Sequence, residues 1–331
     1  MINERQTNLL KLIVEDYIKT ARPVSSKSLC DLMNCSSATI RNEMGLLEEL
    51  GLLEKTHTSS GRVPSEMGYR YYVDYIMKPS ELTGEDMLKL QTIFKNNSLA
   101  ISDTIKLSMQ LIAEITNCTT ITLGSASREN RITRVMVEQL DEQNMIAIVI
   151  TDKGHVEHKN IHLGAAVNQE ELKKTVDLIN KLIVGTPIDE VNEKLEYEVK
   201  PVINQVVKQH EILYNAFYHA FYDIARQEEV KVSHASNILM QPEFNDADKI
   251  REIISKFDDK NMVRNIKEDD SGVHIYIGSE TEFDDDVSII KTKYSVNGEE
   301  GTIALVGPKR MEYGRVIALL EYIKEHLEGD D

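Results

Sequence analysis

An α+β chain of more than one domain is what this sequence predicts, and three observations predict it. Its 331 residues exceed what one core usually holds, and 41% are hydrophobic against 28% charged, too apolar for a disordered chain. The apolar spacing changes along the chain: helical at first, then β-branched and alternating, then mixed. The charge is uneven as well. Residues 1–78 hold ten Lys or Arg and ten Asp or Glu, so the whole formal charge of −17 lies beyond them. An acidic bulk repels phosphate, which reserves any nucleic-acid contact for the neutral N-terminal stretch.

Several classes are excluded early. The longest unbroken apolar run, Met145 to Ile150, has six residues against the roughly 20 of a membrane-spanning helix. Met1–Gln6 lacks the charged-then-apolar pattern of a secretory signal. The three cysteines, Cys30, Cys35 and Cys118, build no disulfide framework and suit a reducing compartment. A cytoplasmic protein without a membrane partner is expected.

Taken in order, the elements begin with Leu9, Leu10, Ile13, Val14, Tyr17 and Ile18, at helical spacing within Asn3–Thr20, a helix that Pro23 ends. Ser25 or Ser26 caps a second helix carrying Leu29, Leu32 and Met33. Asn34-Cys35 then turns into a third, capped by Ser36 or Ser37. There Ile40, Met44, Leu47 and Leu50 form an inward stripe that Gly51 closes. Leu52–His57 reads as a strand, Thr58–Gly61 as a turn and Arg62–Pro64 as the return. Two helices, a turn, a third helix and a two-stranded ribbon spell a winged helix-turn-helix.

A tyrosine-rich helix from Tyr69 to Met77 precedes a linker with Pro and Gly, residues 79–84. Helical spacing from Glu85 to Asn117 breaks at Asn96–Ser98. Strands follow at Thr119–Leu123, Val135–Leu140, Met145–Thr151 and His155–Leu163, the last three as an antiparallel meander. Helices cover Gln169–Val184 and Pro187–Arg226. The remainder offers a helix at Asp246–Phe257, strands at Val273–Gly278, Val287–Val296 and Thr302–Val306, and a closing helix at Tyr313–Leu327. Asp284-Asp285-Asp286 reads as a solvated loop.

The third helix carries the chemistry. With its stripe inward, Ser37, Ala38, Arg41 and Asn42 face out. Arg matches the two acceptors of guanine and Asn the acceptor–donor pair of adenine, each worth about 1–3 kcal/mol of discrimination. Ser36, Ser37 and Thr39 lie at the helix N-terminus, where free N–H groups meet phosphate, although Ser36 serves equally as a plain cap. In the ribbon, His57 and Arg62 flank the tip and reach for phosphate or the minor groove, Arg62 foremost. The aromatic stripe Tyr214, Phe217, Tyr218 and Phe221 serves either a dimer contact or the core. His155, His158 and His162 alternate faces along a strand and do not converge on a metal. With no catalytic spacing either, neither enzyme activity, metal nor cofactor is expected.

The runs Ser36–Met44, Leu47–Gly51, His57–Pro64 and Gly68–Asp74 resemble the HrcA family of bacterial heat-inducible transcription repressors. So do Asn237–Phe244, Ile277–Glu280 and Gly301–Tyr313, and together these runs span essentially the whole chain. Ser60 stands where the family usually has Ala. The resemblance implies a winged-helix DNA-binding domain (1–78), the linker (79–84), a GAF-like α/β domain (85–127 and 223–331) and an α+β dimerising domain inserted within it (128–222). It also implies a homodimer on an inverted-repeat operator in double-stranded DNA upstream of groE- and dnaK-type chaperone operons. Activity would be sustained by the GroE chaperonin and lost on heat stress. The alternative is a metabolite-responsive winged-helix regulator whose GAF-like domain binds a small effector in a defined pocket.

Overall fold

Asn3 opens the first helix by a reciprocal cap: its side chain accepts from the Gln6 N–H at 2.9 Å, and the Gln6 side chain accepts from the Asn3 N–H at 3.0 Å. The computed structural model describes residues 2–329 except 56–60, 97, 98, 100, 125–130, 153–155, 164–166, 207–211, 213, 216, 220, 222–229, 269, 297 and 298. Helix α1 (Glu4–Thr20) buries Leu9, Leu10, Ile13 and Val14. Then come α2 (Cys30–Met33), α3 (Ser37–Glu49), strands β1 (Leu53–Lys55) and β2 (Arg62–Pro64), and α4 (Glu66–Tyr71), which widens into a π turn over Tyr72–Ile76.

Two details differ from the expected pattern. The second helix is a single turn that leaves Leu32 66% exposed, and Ser25 accepts from the Ser28 N–H in a local turn instead of capping it. Leu50 is 53% exposed because α3 has already ended. Gly51, at φ +75°, reverses the chain, so that Gly51 N–H meets the Glu48 carbonyl and Leu52 N–H the Leu47 carbonyl, both at 2.9 Å. In this C-terminal motif the residue after the glycine packs back on the helix, and buried Leu52 takes the place expected of Leu50.

The chain divides into two compact units, Met1–Leu123 with Val230–Asp331, and Gly124–Glu229. After Met77–Thr83, the first unit continues with α5 (Gly84–Phe94), α6 (Ile101–Thr116) and β3 (Thr119–Gly124). The second unit, somewhat wider than the expected 128–222, is a meander of β4 (Ile132–Gln139), β5 (Asn144–Thr151) and β6 (Val156–His162) followed by α7 (Gln169–Ile183), α8 (Val191–Lys194) and α9 (Lys200–Val206). The long helix expected from Pro187 is interrupted by a wide turn at Leu195–Val199. Pro201, which has no N–H to give the preceding turn, accounts for it. Asn180 of α7 receives the Val135 N–H and donates to the Val135 carbonyl, both at 2.8 Å, and so holds α7 to β4 beside its bulge.

Ile132, Val135, Met145, Ala147, Val149 and Ile161 supply the buried sheet face of this unit. Tyr214, Phe217 and Phe221 belong to the same core, at 5%, 0% and 2% exposure, and Tyr218 packs against it. The stripe expected to serve dimerisation or the core lies in the core of its own unit.

The first unit is completed by β7 (Val230–Ser233), α10 (Ser236–Leu239), α11 (Ala247–Asp258), α12 (Lys260–Arg264), β8 (Val273–Ile277), β9 (Val287–Val296), β10 (Glu299–Pro308) and α13 (Tyr313–Glu328). The sheet runs β7-β3-β10-β9-β8. One core joins Ile290, Tyr294 and Ile303 to Leu90, Ile112, Leu319 and Leu320, and another joins Ile289, Ala304 and Val306 to Ile253, Phe257 and Val263. The sheet is thus covered by helices on both faces. The first of these cores also contains Leu9, Ile13, Ile40, Met44 and Leu47, so residues 1–78 do not stand apart from the sheet.

Asp284, expected in a solvated loop, has a carboxylate only 1% exposed, gripped by Lys249 at 2.9 Å and Lys256 at 2.7 Å. Burial alone would raise its pKa. The hydrogen bonds from Lys256, the Asp286 N–H and Lys249 outweigh burial and hold the carboxyl below its ordinary range. Its stabilising contribution is therefore present above the ordinary carboxylate pKa and lost as pH falls through the depressed value. Asp284→Asn is expected to lower the unfolding free energy by about 2–3 kcal/mol at neutral pH, a gap that closes in acid. Urea denaturation across pH measures it, and equal stabilities at neutral pH would refute it.

Candidate nucleic-acid interface

Ser36 is the N-cap of α3: extended at φ −66°, ψ 149°, its hydroxyl accepts from the Thr39 N–H at 3.2 Å and meets the Thr39 hydroxyl at 2.9 Å. Ser37 shares a 2.8 Å hydrogen bond with Ser26, which ties the segment before α2 to the first turn of α3. With Ile40, Met44 and Leu47 turned inward, Ser36, Arg41 and Asn42 are exposed and Ser37 and Thr39 half-buried. Five of the site residues expected on this helix therefore lie in its first two turns.

The carboxylates on α3 are mostly occupied. Glu43 accepts from the Gln6 side chain at 3.1 Å and pairs with Arg5 at 3.7 Å, which fixes α3 to α1. Glu48 receives Arg62 through Nε at 2.8 Å and Nη2 at 2.7 Å, with Lys55 3.9 Å away. Glu49 lies at the far C-terminal end. The exposed N-terminal face is left with Arg41 as its charge, beside an amide, hydroxyls and a helix N-terminus, a set that suits a negatively charged groove.

Arg62 is not where the sequence suggested. Strand β2 turns Arg62 and Pro64 inward, and Arg62 is 7% exposed, its guanidinium spent on Glu48 instead of reaching out from the wing. Its backbone exchanges two 2.9 Å hydrogen bonds with Val24, which adds a further rung to the ribbon. His57, the other wing residue expected at the interface, lies outside the described residues. Two further cations, Arg22 and Lys27, are exposed, and Lys27 adjoins the Ser26–Ser37 bond. The alternation of basic and serine residues from Arg22 to Ser28 was the signal available for them.

Residues 1–72 match the family described as "Winged helix-turn-helix transcription repressor, HrcA DNA-binding", and residues 102–317 the one described as "HrcA protein C terminal domain". The chain belongs to the HrcA family. A Bacillus pumilus (strain SAFR-032) protein called heat-inducible transcription repressor HrcA is 35% identical over 335 residues, covering 99% of this chain and 98% of its own. A namesake from Lysinibacillus sphaericus is 36% identical over 330 residues, covering 98% and 96%. A crystal structure described as that of a hypothetical protein aligns over 99% of this chain and 98% of its own, with a TM-score of 0.69 and 26% identity. HrcA proteins are regulators, not enzymes, and this HrcA chain is a heat-inducible transcription repressor with a winged-helix DNA-binding domain. No helix among the described residues is long and apolar enough to cross a membrane.

Arg62→Ala strips Glu48 of its close partner and is expected to cost about 2–3 kcal/mol of stability. The slope of DNA affinity against salt is expected to stay unchanged, because this guanidinium neutralises a carboxylate and not a phosphate. Urea denaturation and salt titration read the two effects; a slope shallower by about one would put Arg62 on the DNA.

Proposed function

We propose that this chain is a cytoplasmic homodimer that represses groE- and dnaK-type chaperone operons by binding an inverted-repeat operator, with the GroE chaperonin sustaining its activity until heat stress diverts it. The observation that carries the DNA-binding part is the exposed face of α3. Arg41 and Asn42 read base edges there, while Ser36, Ser37 and Thr39, with the helix N-terminus, hold phosphate. The operon class and the chaperonin rest on the family resemblance.

A second copy is needed for specificity, since one winged helix makes too few base contacts to select a site in a genome. The outer face of the meander supports a dimer. Ile146, Ile148 and Ile150 line β5 half-exposed, flanked by Met136 at 41% and Val156 at 59% exposure. The register aligns Met136, Ile148 and His158 in one row, with Arg134 and Glu138 on the rows either side. A two-fold axis along that row brings Arg134 of one protomer over Glu138 of the other and stacks isoleucine on isoleucine. The effector-binding alternative has less room: Phe244, Phe257 and Phe283 are buried between the sheet and its outer helices.

Arg41→Ala and Asn42→Ala are each expected to cost about 1–3 kcal/mol of operator affinity and to relax preference at one base pair per half-site. Anisotropy with operator and scrambled duplexes, with and without chaperonin, tests this; equal loss on both duplexes removes base reading. Ile148→Glu is expected to give a monomer by sedimentation that keeps half-site binding but loses about a hundredfold on the inverted repeat. A variant that remains dimeric excludes this face.

A further inference from the structure

Four of the sequence runs that carry the family resemblance lie wholly or partly away from the DNA-facing surface, and they converge between the winged helix and the five-stranded sheet. On one side Arg310, just after β10, forks onto Glu243, reaches Gln241 through Nη2 at 2.7 Å and donates through Nη1 to the Ile18 carbonyl at 3.3 Å, in the last turn of α1. On the other side Glu66, at the start of α4, accepts from the Ser279 N–H at 3.2 Å and from its hydroxyl. One turn later Arg70 donates to the Ile275 carbonyl at 2.7 Å and pairs with Glu280. Gly278, at φ +57°, makes this approach possible, because a Cβ there would sit 2.0 Å from a Glu66 carboxylate oxygen. The same loop is held at its far end by Asp284 on Lys249 and Lys256.

Between these two latches the rings of Tyr69 and Tyr313 lie 6.2 Å apart, both buried. The Tyr313 hydroxyl has Ser288 at 2.9 Å and the Lys309 carbonyl, whereas the Tyr69 hydroxyl is buried with no hydrogen-bond partner among the described residues. Ser80 N–H bonds the Gly314 carbonyl at 3.2 Å and lays the linker along the first turn of α13.

We propose that this joint is a positioning device: it fixes the angle of the recognition helix against the sheet and thereby sets which spacing between operator half-sites the repressor accepts. The proposal rests on the homodimer-on-inverted-repeat reading. Were the whole joint to part, latches and shared core together, the stretch Met77–Thr83 would extend to about 24 Å, more than the roughly 17 Å of half a DNA turn, and the reader would accept many spacings. Latched, it accepts one. Arg70 and Arg310 act through α4 and α1 and do not contact DNA.

Anisotropy of the full chain is measured on one half-site duplex and on inverted repeats whose spacer is varied base pair by base pair through a helical turn. The wild type is expected to favour one spacing by about a hundredfold over one half a turn longer. Arg70→Ala with Arg310→Ala removes one latch and weakens the other, leaving Glu66 on Ser279, and is expected to keep half-site affinity within about twofold while the spacing preference falls to about tenfold. Tyr69→Phe removes the unpaired hydroxyl, deletes no hydrogen bond, and is expected to hold the preference to a higher temperature than the wild type. A double variant that keeps the wild-type preference, or loses half-site affinity in step with it, overturns the joint's role. So does a Tyr69→Phe chain that loses the preference at the wild-type temperature, or a dimeric wild type that binds half-sites yet has no preferred spacing. A wild type that binds none of the duplexes sinks the operator reading, and the joint's role with it.

Discussion

A DNA-binding domain in a chain of net charge −17 gains from having its own carboxylates neutralised, and on α3 the Glu48–Arg62 pair is the centre of that arrangement. Glu48 lies on the helix and Arg62 on the second wing strand, so one interaction cancels a repulsive charge and fixes the wing to the reader. Glu43 does the same towards α1 through Arg5 and Gln6. With Glu43 and Glu48 engaged and Glu49 at the far end, the exposed N-terminal turns offer phosphate a local field that the overall charge would not suggest. The pair is worth more here as a constraint on geometry than as net stability, since partly buried ion pairs repay little beyond their desolvation.

The elements that sequence made legible are those whose signal is local. The Ser36 cap, the Ile40–Met44–Leu47 stripe and the meander follow from spacing and capping chemistry, which neighbouring residues settle among themselves. Most of the misplacements involve a partner distant in sequence. Arg62 looked like a wing-tip cation because Glu48, fourteen residues earlier, gives no sign in sequence of lying beneath it. Asp284 looked solvated because its two lysines come from α11. The aromatic stripe at Tyr214–Phe221 reads the same whether it faces a second copy or its own sheet, and only the packed core distinguishes them. Leu50 is the exception, with a local cause: it sits one residue past the end of α3, and the glycine motif there buries Leu52 in its place.

Charge segregation and shared packing answer different requirements of a repressor. The neutral reader and acidic remainder lower the affinity for random duplex, because phosphate repels most of the surface and tolerates one face. Segregation of that kind would be served equally by a reader on a free tether. The common core of Leu9, Ile40, Tyr69, Tyr313 and Leu320 shows a different solution, in which the reader is part of the body it signals for.

That sharing also bears on heat. A winged helix of about 78 residues buries too little surface to be more than marginally stable alone, and below about 80 residues a single core rarely supplies more than 3–5 kcal/mol. Packing α1 and α4 against β8, β10 and α13 gives the reader stability drawn from the sheet, and the cost is independence: disrupting the sheet's core removes apolar contacts from the reader as well. Cooperativity of this kind turns many weak temperature dependences into one transition, because the units that share a core unfold together. The polar latches and the Tyr69 hydroxyl, buried without a hydrogen-bond partner among the described residues, lie where that shared core joins reader to sheet, so reader and sheet are held to one arrangement by contacts of both kinds.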